Sequence, residues 1–397
     1  MFWDLKEVDC ERESLFFGKR SITYSQLDSQ VNELSSKLLS IKQKVLIVLV
    51  SDNSLAAIVW YLSCLRTKHS VLLLSHTINT DLLKGIVDIY RPSIIVTPFN
   101  YNSSPLSLYC ITDDVVLFSD LAVLLSTSGT TGSPKLVRLS YKNIQSNAES
   151  IREYLNIFSH DRSITNLPMS YSFGLSIINS YLLAGAGIVT TESSIVTKGF
   201  WELFNFHKCT SLSGVPFTYQ TLKLLKFESM NLENLKTMTQ AGGRLSTADI
   251  SYFKQVCDTK NIKFYVMYGQ TEATARMSYV PSDMLSSKLG SIGIAIPGGK
   301  FSLKIDNGES FDPGAEGEIV YRGANVMLGY ATKKEDLSRG DELKGILVTG
   351  DLAKVDEDGY LYVTGRIKRF IKITGLRVNL DDVEKRLELL TKTLLVS

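Results

Sequence analysis

The sequence predicts an α/β fold: two helix-covered, mainly parallel sheets plus a smaller antiparallel β subdomain. Three observations lead there. Short runs of Val, Ile and Leu recur between residues 45 and 267. Segments with apolar residues at helical spacing separate them. After about Pro281 the glycines and prolines crowd together and the strand candidates shorten. Uniformly apolar strands separated by helices belong to sheets covered on both faces. Short strands between turn residues belong to antiparallel ones.

Taken in order, residues 45–50 (Val-Leu-Ile-Val-Leu-Val) predict a buried strand, 55–65 a helix and 71–74 a strand. Residues 81–90 predict a helix, 93–97 a strand and 122–126 a further strand. A glycine-rich loop follows. Ser140 then caps a helix carrying Ile144, Ala148, Ile151 and Leu155 on one face. The alternation continues with a strand at 187–191, a helix near Trp201, a strand near Ser211 and a helix near Tyr219. A strand at 237–241, a helix opened by Ser246 and a strand at 263–267 complete it. Beyond Pro281, residues 301–305 and 318–321 read as short strands among Gly290, Gly293, Pro297, Gly298, Gly299, Gly308, Pro313, Gly314 and Gly317. Residues 381–390 predict a last helix.

A chain of 397 residues, 44% hydrophobic and 21% charged, has enough length for two or three lobes and a large core. Its formal charge of +2 gives no reason to expect a nucleic acid or an anionic membrane as partner. Cys10, Cys64, Cys110, Cys209 and Cys257 are odd in number, far apart and free of any CxxC pair. They predict reduced thiols in a cytoplasmic protein, with no zinc site. The N-terminus lacks the pattern of a signal peptide, and the apolar run at 45–50 is too short to span a membrane. The histidines His69, His76, His160 and His207 have no partner at triad or ligand spacing and read as packing or surface residues.

Three segments carry chemistry. The densest is Ser126-Thr127-Ser128-Gly129-Thr130-Thr131-Gly132-Ser133-Pro134-Lys135. Hydroxyls and unhindered backbone N–H groups wrap oxyanions, and Lys135 adds a compact positive charge. It is not the GxxxxGK[ST] loop, because the lysine follows Pro134 and no Ser or Thr comes after it. The second segment is Tyr268-Gly269-Gln270-Thr271-Glu272, at the end of a predicted strand, where open α/β sheets bind ligands. Read alone, it suits a nucleotide and Mg²⁺ site and equally a helix start with a favourable acid. The third is Thr349-Gly350-Asp351, followed by Gly365-Arg366. A short acid after a strand holds ribose hydroxyls in dinucleotide sites, and it also caps ordinary turns.

Together these segments resemble the adenylate-forming superfamily of acyl-CoA synthetases, peptide-synthetase adenylation domains and beetle luciferases. Residues 126–135 are similar to its phosphate loop, and 268–272 to its YGxTE motif. Gly317-Glu318-Ile319-Val320-Tyr321-Arg322-Gly323 with Met327-Leu328-Gly329-Tyr330 resembles its GEIxxRGxxxMxGY segment. Thr349-Gly350-Asp351 and Gly365-Arg366 resemble its TGD and GR pair, and Ile371-Lys372-Ile373 with Gly375-Leu376-Arg377-Val378 the stretch past its hinge.

The resemblance implies that family's large N-terminal domain over 1–367, with a β subdomain at about 281–365. It implies a hinge and the start of an incomplete C-terminal domain over 368–397. It also implies an AMP-forming acid–thiol ligase. Such an enzyme uses Mg²⁺ and ATP to convert a carboxylic acid to an acyl-adenylate with AMP as its nucleotide part. The acyl group then passes to CoA or to the phosphopantetheine of an acyl carrier protein.

By the same resemblance Lys135, Thr271 and Glu272 are catalytic. Thr127, Ser128, Gly129, Thr130, Thr131, Gly132 and Lys135 hold phosphates, and Glu272 holds the metal. Gly242, Gly243 and Arg244 flank the adenine, Tyr268 stacks on it, Gly269 and Gln270 also belong to the nucleotide site, Asp351 binds the ribose, and Arg366 assists the ribose or the phosphates. Tyr171, Ser172, Phe173, Val215 and Gly269 line the acid pocket. Lys368 is the hinge residue.

The sequence departs from the family's pattern at several points. Leu136 replaces the usual glycine after Pro-Lys. Tyr171 stands at the aromatic gate after Leu167-Pro168, and Tyr171 and Phe173 equally suit plain core packing. Ser172 stands where amino-acid activators carry an Asp, which predicts an acid without a required α-ammonium group. The chain ends at Ser397, before the motif of the family's second catalytic lysine. That predicts weak catalysis by this chain, and it keeps open a non-catalytic nucleotide-binding or scaffold protein.

Overall fold

The computed structural model describes residues 1–6, 8–97, 115–126 and 135–367, with the backbone of the strands Phe370–Ile373 and Leu376–Asn379. Thr127, Ser128, Gly129, Thr130, Thr131, Gly132, Cys110, Lys368 and the helix expected over 381–390 lie outside the described residues.

Among the described residues the strands gather into three sheets and a separate hairpin. The largest sheet has nine strands in the spatial order Ile294–Ala295, Ser278–Val280, Lys263–Tyr268, Thr237–Gln240, Ser211–Gly214, Arg162–Ile164, Gly187–Thr190, Glu13–Phe17 and Arg20–Thr23. Its central pairs are parallel and its outer pairs antiparallel. The second sheet has six strands in the order Gly329–Ala331, Leu136–Ser140, Leu121–Ser126, Ser70–Ser75, Leu46–Ser51 and Ile94–Val96. The third is antiparallel, ordered Gly308–Ser310, Lys300–Ile305, Glu316–Arg322, Ile346–Val355 and Leu361–Arg366.

Side-chain alternation along the strands assigns each face to its own core. Leu49, Leu73 and Leu125 from the six-stranded sheet share one core with Leu15, Ile188 and Met267 from the nine-stranded sheet. The helices Tyr24–Leu38, Leu55–Arg66, Tyr141–Leu155 and Ser172–Leu183 fill the layer between. On the other face of the nine-stranded sheet, Val189, Leu212, Met238 and Phe264 pack on the helices Lys198–Phe206, Pro216–Leu224 and Thr247–Thr259. On the other face of the six-stranded sheet, Val48, Leu72 and Leu124 meet Ile86 and Tyr90 of the helix Thr80–Tyr90. The five-stranded sheet has its own core of Phe301, Leu303, Ile319, Tyr321 and Leu361.

Local chemistry explains the boundaries. Ser140 accepts the backbone N–H of Asn143, and the Asn143 side chain accepts the N–H of Ser140, so the expected cap is a reciprocal box. Ser246 likewise caps its helix by accepting the N–H of Asp249.

Several regions differ from the sequence reading, the helix Ser172–Leu183 and the strand Arg162–Ile164 among them. The hydroxyl-rich loop was expected to lead into a helix. Instead the strand Leu136–Ser140 comes first and pairs antiparallel with Leu121–Ser126. Arg138 hid that strand, because it breaks the apolar run. The residue is nonetheless fully buried and pairs with Glu342. Another miss is the N-terminal hairpin and the helix Tyr24–Leu38, whose buried face rests on few apolar residues, Leu27, Val31 and Leu38 among them.

Candidate functional site

The neighbouring parallel strands Ser211–Gly214, Thr237–Gln240 and Lys263–Tyr268 end on one side of the nine-stranded sheet. Beyond them the chain delivers Val215, residues 242–244 and residues 269–272 respectively, three segments singled out from the sequence. Ligands bind open parallel sheets at such strand ends.

The five-stranded sheet brings Asp351 to the same place. Asp351 is 2% exposed. Its Oδ2 accepts the Tyr268 hydroxyl at 2.5 Å and Gln270 Nε2 at 2.8 Å, and its Oδ1 accepts Arg366 Nε at 2.5 Å. Arg366 stands opposite because Asp351 and Arg366 are register partners on adjacent antiparallel strands. Gln270 also donates to the Thr349 carbonyl at 3.1 Å, tying the 268–272 segment to the strand that bears Asp351. Burial, and then the Asp351 charge, push the Tyr268 phenol well above its ordinary range, so it remains a donor. The hydrogen bond to Asp351 raises Arg366. Tyr268, Gln270, Asp351 and Arg366 are therefore brought together as the sequence suggested. The Tyr268 contact is a hydroxyl bond to the ribose candidate, which the sequence reading did not foresee.

Thr271 and Glu272 point into two further contacts. Thr271 Oγ1 lies 3.2 Å from Ser172 Oγ, joining the 268–272 segment to the first residue of the helix Ser172–Leu183. Glu272 Oε1 accepts the Tyr330 hydroxyl at 2.7 Å. Lys135 Nζ lies 3.3 Å from the centre of the Tyr330 ring. Burial, and then Glu272, raise the Tyr330 phenol. Tyr330 is held by backbone: the strand Gly329–Ala331 pairs with Leu136–Ser140, and the Met327 N–H donates to the Glu272 carbonyl at 2.9 Å. Arg138 braces the same turn, donating to the carbonyls of Tyr330 at 3.2 Å and Leu328 at 3.4 Å.

Tyr171 and Phe173, the candidates for an acid pocket, meet edge to face, with Phe173 buried and Tyr171 partly so. Both belong to the central core, so packing is part of their work. Gly242 has φ +78°, and a Cβ there would strike the Tyr171 hydroxyl and come within 3.1 Å of Val215 Cγ1. Gly242, Tyr171 and Val215 thus form one wall. A Cβ at Gly269 would overlap the Ala275 carbonyl, so glycine is what allows residues 274–276 to fold back on the strand end. Gly243 receives Gln240 Nε2 on its carbonyl at 2.8 Å. Arg244 is exposed, and no hydrogen bond or ion pair among the described residues joins it to Tyr268 or Asp351.

Sequence reasoning missed two residues. Tyr330 was named only as the end of a motif. Arg138 was not named, and its one mark in the sequence is a charge within Val137-Arg138-Leu139. No cluster of metal-ligating side chains occurs among the described residues, and none of the described helices is long and apolar enough to cross a membrane. Cys10, Cys64, Cys209 and Cys257 are free thiols.

The sequence matches the family described as AMP-binding enzyme over residues 2–115 and 112–331. It is 30% identical over 267 residues to the medium-chain fatty-acid–CoA ligase of Escherichia coli, covering 67% of this chain and 46% of that protein. It is 26% identical over 397 residues to the 2-succinylbenzoate–CoA ligase of Bacillus pumilus, covering 95% of this chain and 79% of that one. The fold matches o-succinylbenzoate CoA synthetase from Bacillus subtilis, solved with its acyl-adenylate intermediate. The TM-score is 0.79 at 21% identity, covering 95% of this chain and 80% of that one. The chain spans about half the length of several curated relatives it matches.

Proposed function

The chain belongs to the AMP-binding enzyme family, and from that premise we propose that it binds ATP and a carboxylic acid and joins them as an acyl-adenylate. One observation carries the reading. A single run of contacts links the ribose candidate Asp351, through Gln270, to the 268–272 segment, whose Thr271 meets Ser172 and whose Glu272 meets Tyr330 beside Lys135.

The residues present suit the groups the reaction brings. Asp351 offers acceptor oxygens to ribose hydroxyls, and the Tyr268 and Gln270 donors fix its orientation. Glu272 is the carboxylate placed to hold Mg²⁺, and Lys135 is the cation on the other side of Tyr330. A bound Mg²⁺ would offset the polyphosphate charge as the acid approaches. Thr271 and Ser172 present two hydroxyls where the acid and the α-phosphate would meet, and Lys135 supplies fixed positive charge as the leaving group departs. In the step itself a carboxylate oxygen forms a bond to the α-phosphorus. The bond from that phosphorus to the bridging oxygen breaks and pyrophosphate leaves. In a second step a thiol sulfur bonds the acyl carbon, the bond from that carbon to the phosphate oxygen breaks, AMP departs and the thiol proton passes to solvent. CoA is the acceptor most of the matched relatives suggest, and a carrier-protein phosphopantetheine presents the same thiol. We place the reaction in the cytoplasm, where Cys10, Cys64, Cys209 and Cys257 would stay reduced.

Acid-dependent exchange of labelled pyrophosphate into ATP tests this reading, with AMP affinity measured alongside. Exchange that appears only with an acid supports it. AMP binding without exchange across a broad panel of acids would leave a nucleotide-binding protein that does not turn over.

A further inference from the structure

Arg138 is fully buried on the strand Leu136–Ser140, among apolar neighbours. Leu136 lies two positions before it and Leu124 stands opposite it, and both belong to the core under the helix Thr80–Tyr90. A Met or Leu would suit those neighbours without the cost of desolvating a guanidinium. Packing alone therefore does not account for an arginine here.

The donors of Arg138 show where the charge is used. Its Nε donates to the Tyr330 carbonyl at 3.2 Å and its Nη1 to the Arg339 carbonyl at 2.5 Å. Its Nη2 donates to the Leu328 carbonyl at 3.4 Å and to the Glu342 carboxylate. One planar group thus ties two segments, 328–330 and 339–342, to one strand. The backbone repeats the tie. The Leu328 N–H donates to the Arg138 carbonyl at 2.8 Å, and the Glu342 N–H donates to the Leu328 carbonyl at 2.8 Å. Gly329 has φ +138°, and a Cβ there would strike Glu342 Oε2 and stand 2.8 Å from Arg138 Nη2. The ion pair therefore lies directly against the Gly329 backbone.

Arg138 faces away from the candidate site. Side chains alternate along a strand, so Val137 leaves the opposite face, and Tyr330 is its register partner. From there the Tyr330 hydroxyl reaches Glu272 at 2.7 Å and its ring takes Lys135. Arg138 makes no hydrogen bond or ion pair with Glu272 or Lys135 among the described residues. What it fixes is the backbone that carries the phenol. A hydrogen bond to a ligating carboxylate orients it, and loss of such a partner typically lowers metal affinity by about 10–100-fold.

We propose, resting on the acid-activating reading above, that Arg138 and Glu342 are a positioning pair for the metal carboxylate. By fixing the strand Gly329–Ala331 they hold the Tyr330 phenol on Glu272, and so set how strongly Mg²⁺ supports ATP binding. Arg138 is a positioning residue that acts across the sheet, through Tyr330.

The test is calorimetric. ATP is titrated into the chain with excess Mg²⁺ and again with EDTA, and the ratio of the two affinities is the metal-linked gain. The proteins are wild type, Arg138→Met, Tyr330→Phe and the double variant. Tyr330→Phe should cut the gain by about tenfold, and Arg138→Met by about threefold or more. The double variant should match Tyr330→Phe, because Arg138 then has no phenol to position. AMP affinity without metal should stay level in all four, and Arg138→Lys should recover part of the gain. Should Arg138→Met not fold, Glu342→Ala, at the exposed end of the pair, takes its place in the same comparison. A gain equal to wild type in the single variant overturns the proposal. Losses that multiply in the double variant also overturn it, as does a loss in Arg138→Met with none in Tyr330→Phe. Those outcomes leave the acid-activating reading standing. A wild-type chain that binds no ATP, or binds it without any metal-linked gain, sinks that reading and this proposal together.

Discussion

The Lys135 ammonium rests 3.3 Å from the centre of the Tyr330 ring. The hydroxyl of the same tyrosine donates to Glu272 at 2.7 Å. One side chain thus seats the two charges that the proposed reaction uses on polyphosphate and metal. It does so from an edge strand fixed by Arg138.

Tyr330→Phe separates these two jobs, since it keeps the ring and removes the hydroxyl. A hydrogen bond to a charged group is worth roughly 1.5–3 kcal/mol. The Mg²⁺ concentration that half-saturates pyrophosphate exchange should rise by about tenfold or more, while AMP affinity measured without metal stays the same. Tyr330→Leu should also lower the maximal exchange rate, because Lys135 loses its seat. Identical Mg²⁺ titrations for wild type and Tyr330→Phe would remove the phenol from the metal site.

Asp351 supports a different prediction, on binding and folding together. Asp351→Ala takes a ribose acceptor away and also strands the Tyr268 hydroxyl that donates to it, while the exposed Arg366 guanidinium turns to water. AMP affinity should fall by roughly 1.5–3 kcal/mol, and the unliganded chain should lose about 1–3 kcal/mol of stability through the unsatisfied Tyr268 hydroxyl. Asp351→Asn retains an acceptor oxygen, so it should recover part of the stability and less of the binding. Calorimetry with AMP and urea unfolding of the three proteins check both halves. Unchanged AMP affinity in Asp351→Ala would exclude it from the nucleotide site.

The alternation of apolar runs and helical segments made the two larger sheets readable, because strands buried on both faces leave uninterrupted Val, Ile and Leu. The strand Leu136–Ser140 escaped for the converse reason, since Arg138 is charged in sequence and buried in the fold. Its neutralising partner Glu342 is far along the chain. The site was legible where the chemistry sits in compact motifs, as in 268–272 and 349–351. It was not legible where a contact joins segments far apart in the chain. The shared role of Tyr330 is a property of contacts between distant segments, and residue spacing carries no record of it.

Gly269 yields a prediction about folding. A Cβ added there would overlap the Ala275 carbonyl and stand 2.8 Å from Arg276 Cα. Both obstacles are backbone, so no rotamer change relieves them. Gly269→Ala should destabilise the chain by roughly 3 kcal/mol or more, the upper end for overpacking. Thermal unfolding followed by circular dichroism reads the effect. A midpoint equal to wild type would mean that residues 274–276 do not fold back on the strand end as described.

Lys44 makes stability depend on pH in a direction that can be worked out. Its ammonium donates to the carbonyls of Ser119 and Leu121, each at 2.6 Å, and lies 5.1 Å from the centre of the Tyr141 ring. Burial first, with Lys68 adding repulsion and Asp120 opposing, pushes Lys44 down to about 8 from its ordinary 10.5. The folded state therefore releases this proton at lower pH than the unfolded chain does. Between those two values the unfolded chain binds more protons, so the contribution of Lys44 to stability rises with pH from about 8 to 10.5. Below about 8 both states hold the proton and the contribution is flat. Lys44→Met abolishes the titration, so the stability of wild type relative to the variant should climb across that window and stay level at pH 6 to 7. Urea unfolding of both proteins at a series of pH values measures the difference. Parallel curves from neutral to alkaline pH would show that the Lys44 ammonium is solvated in the folded chain, whatever its contacts with Ser119 and Leu121.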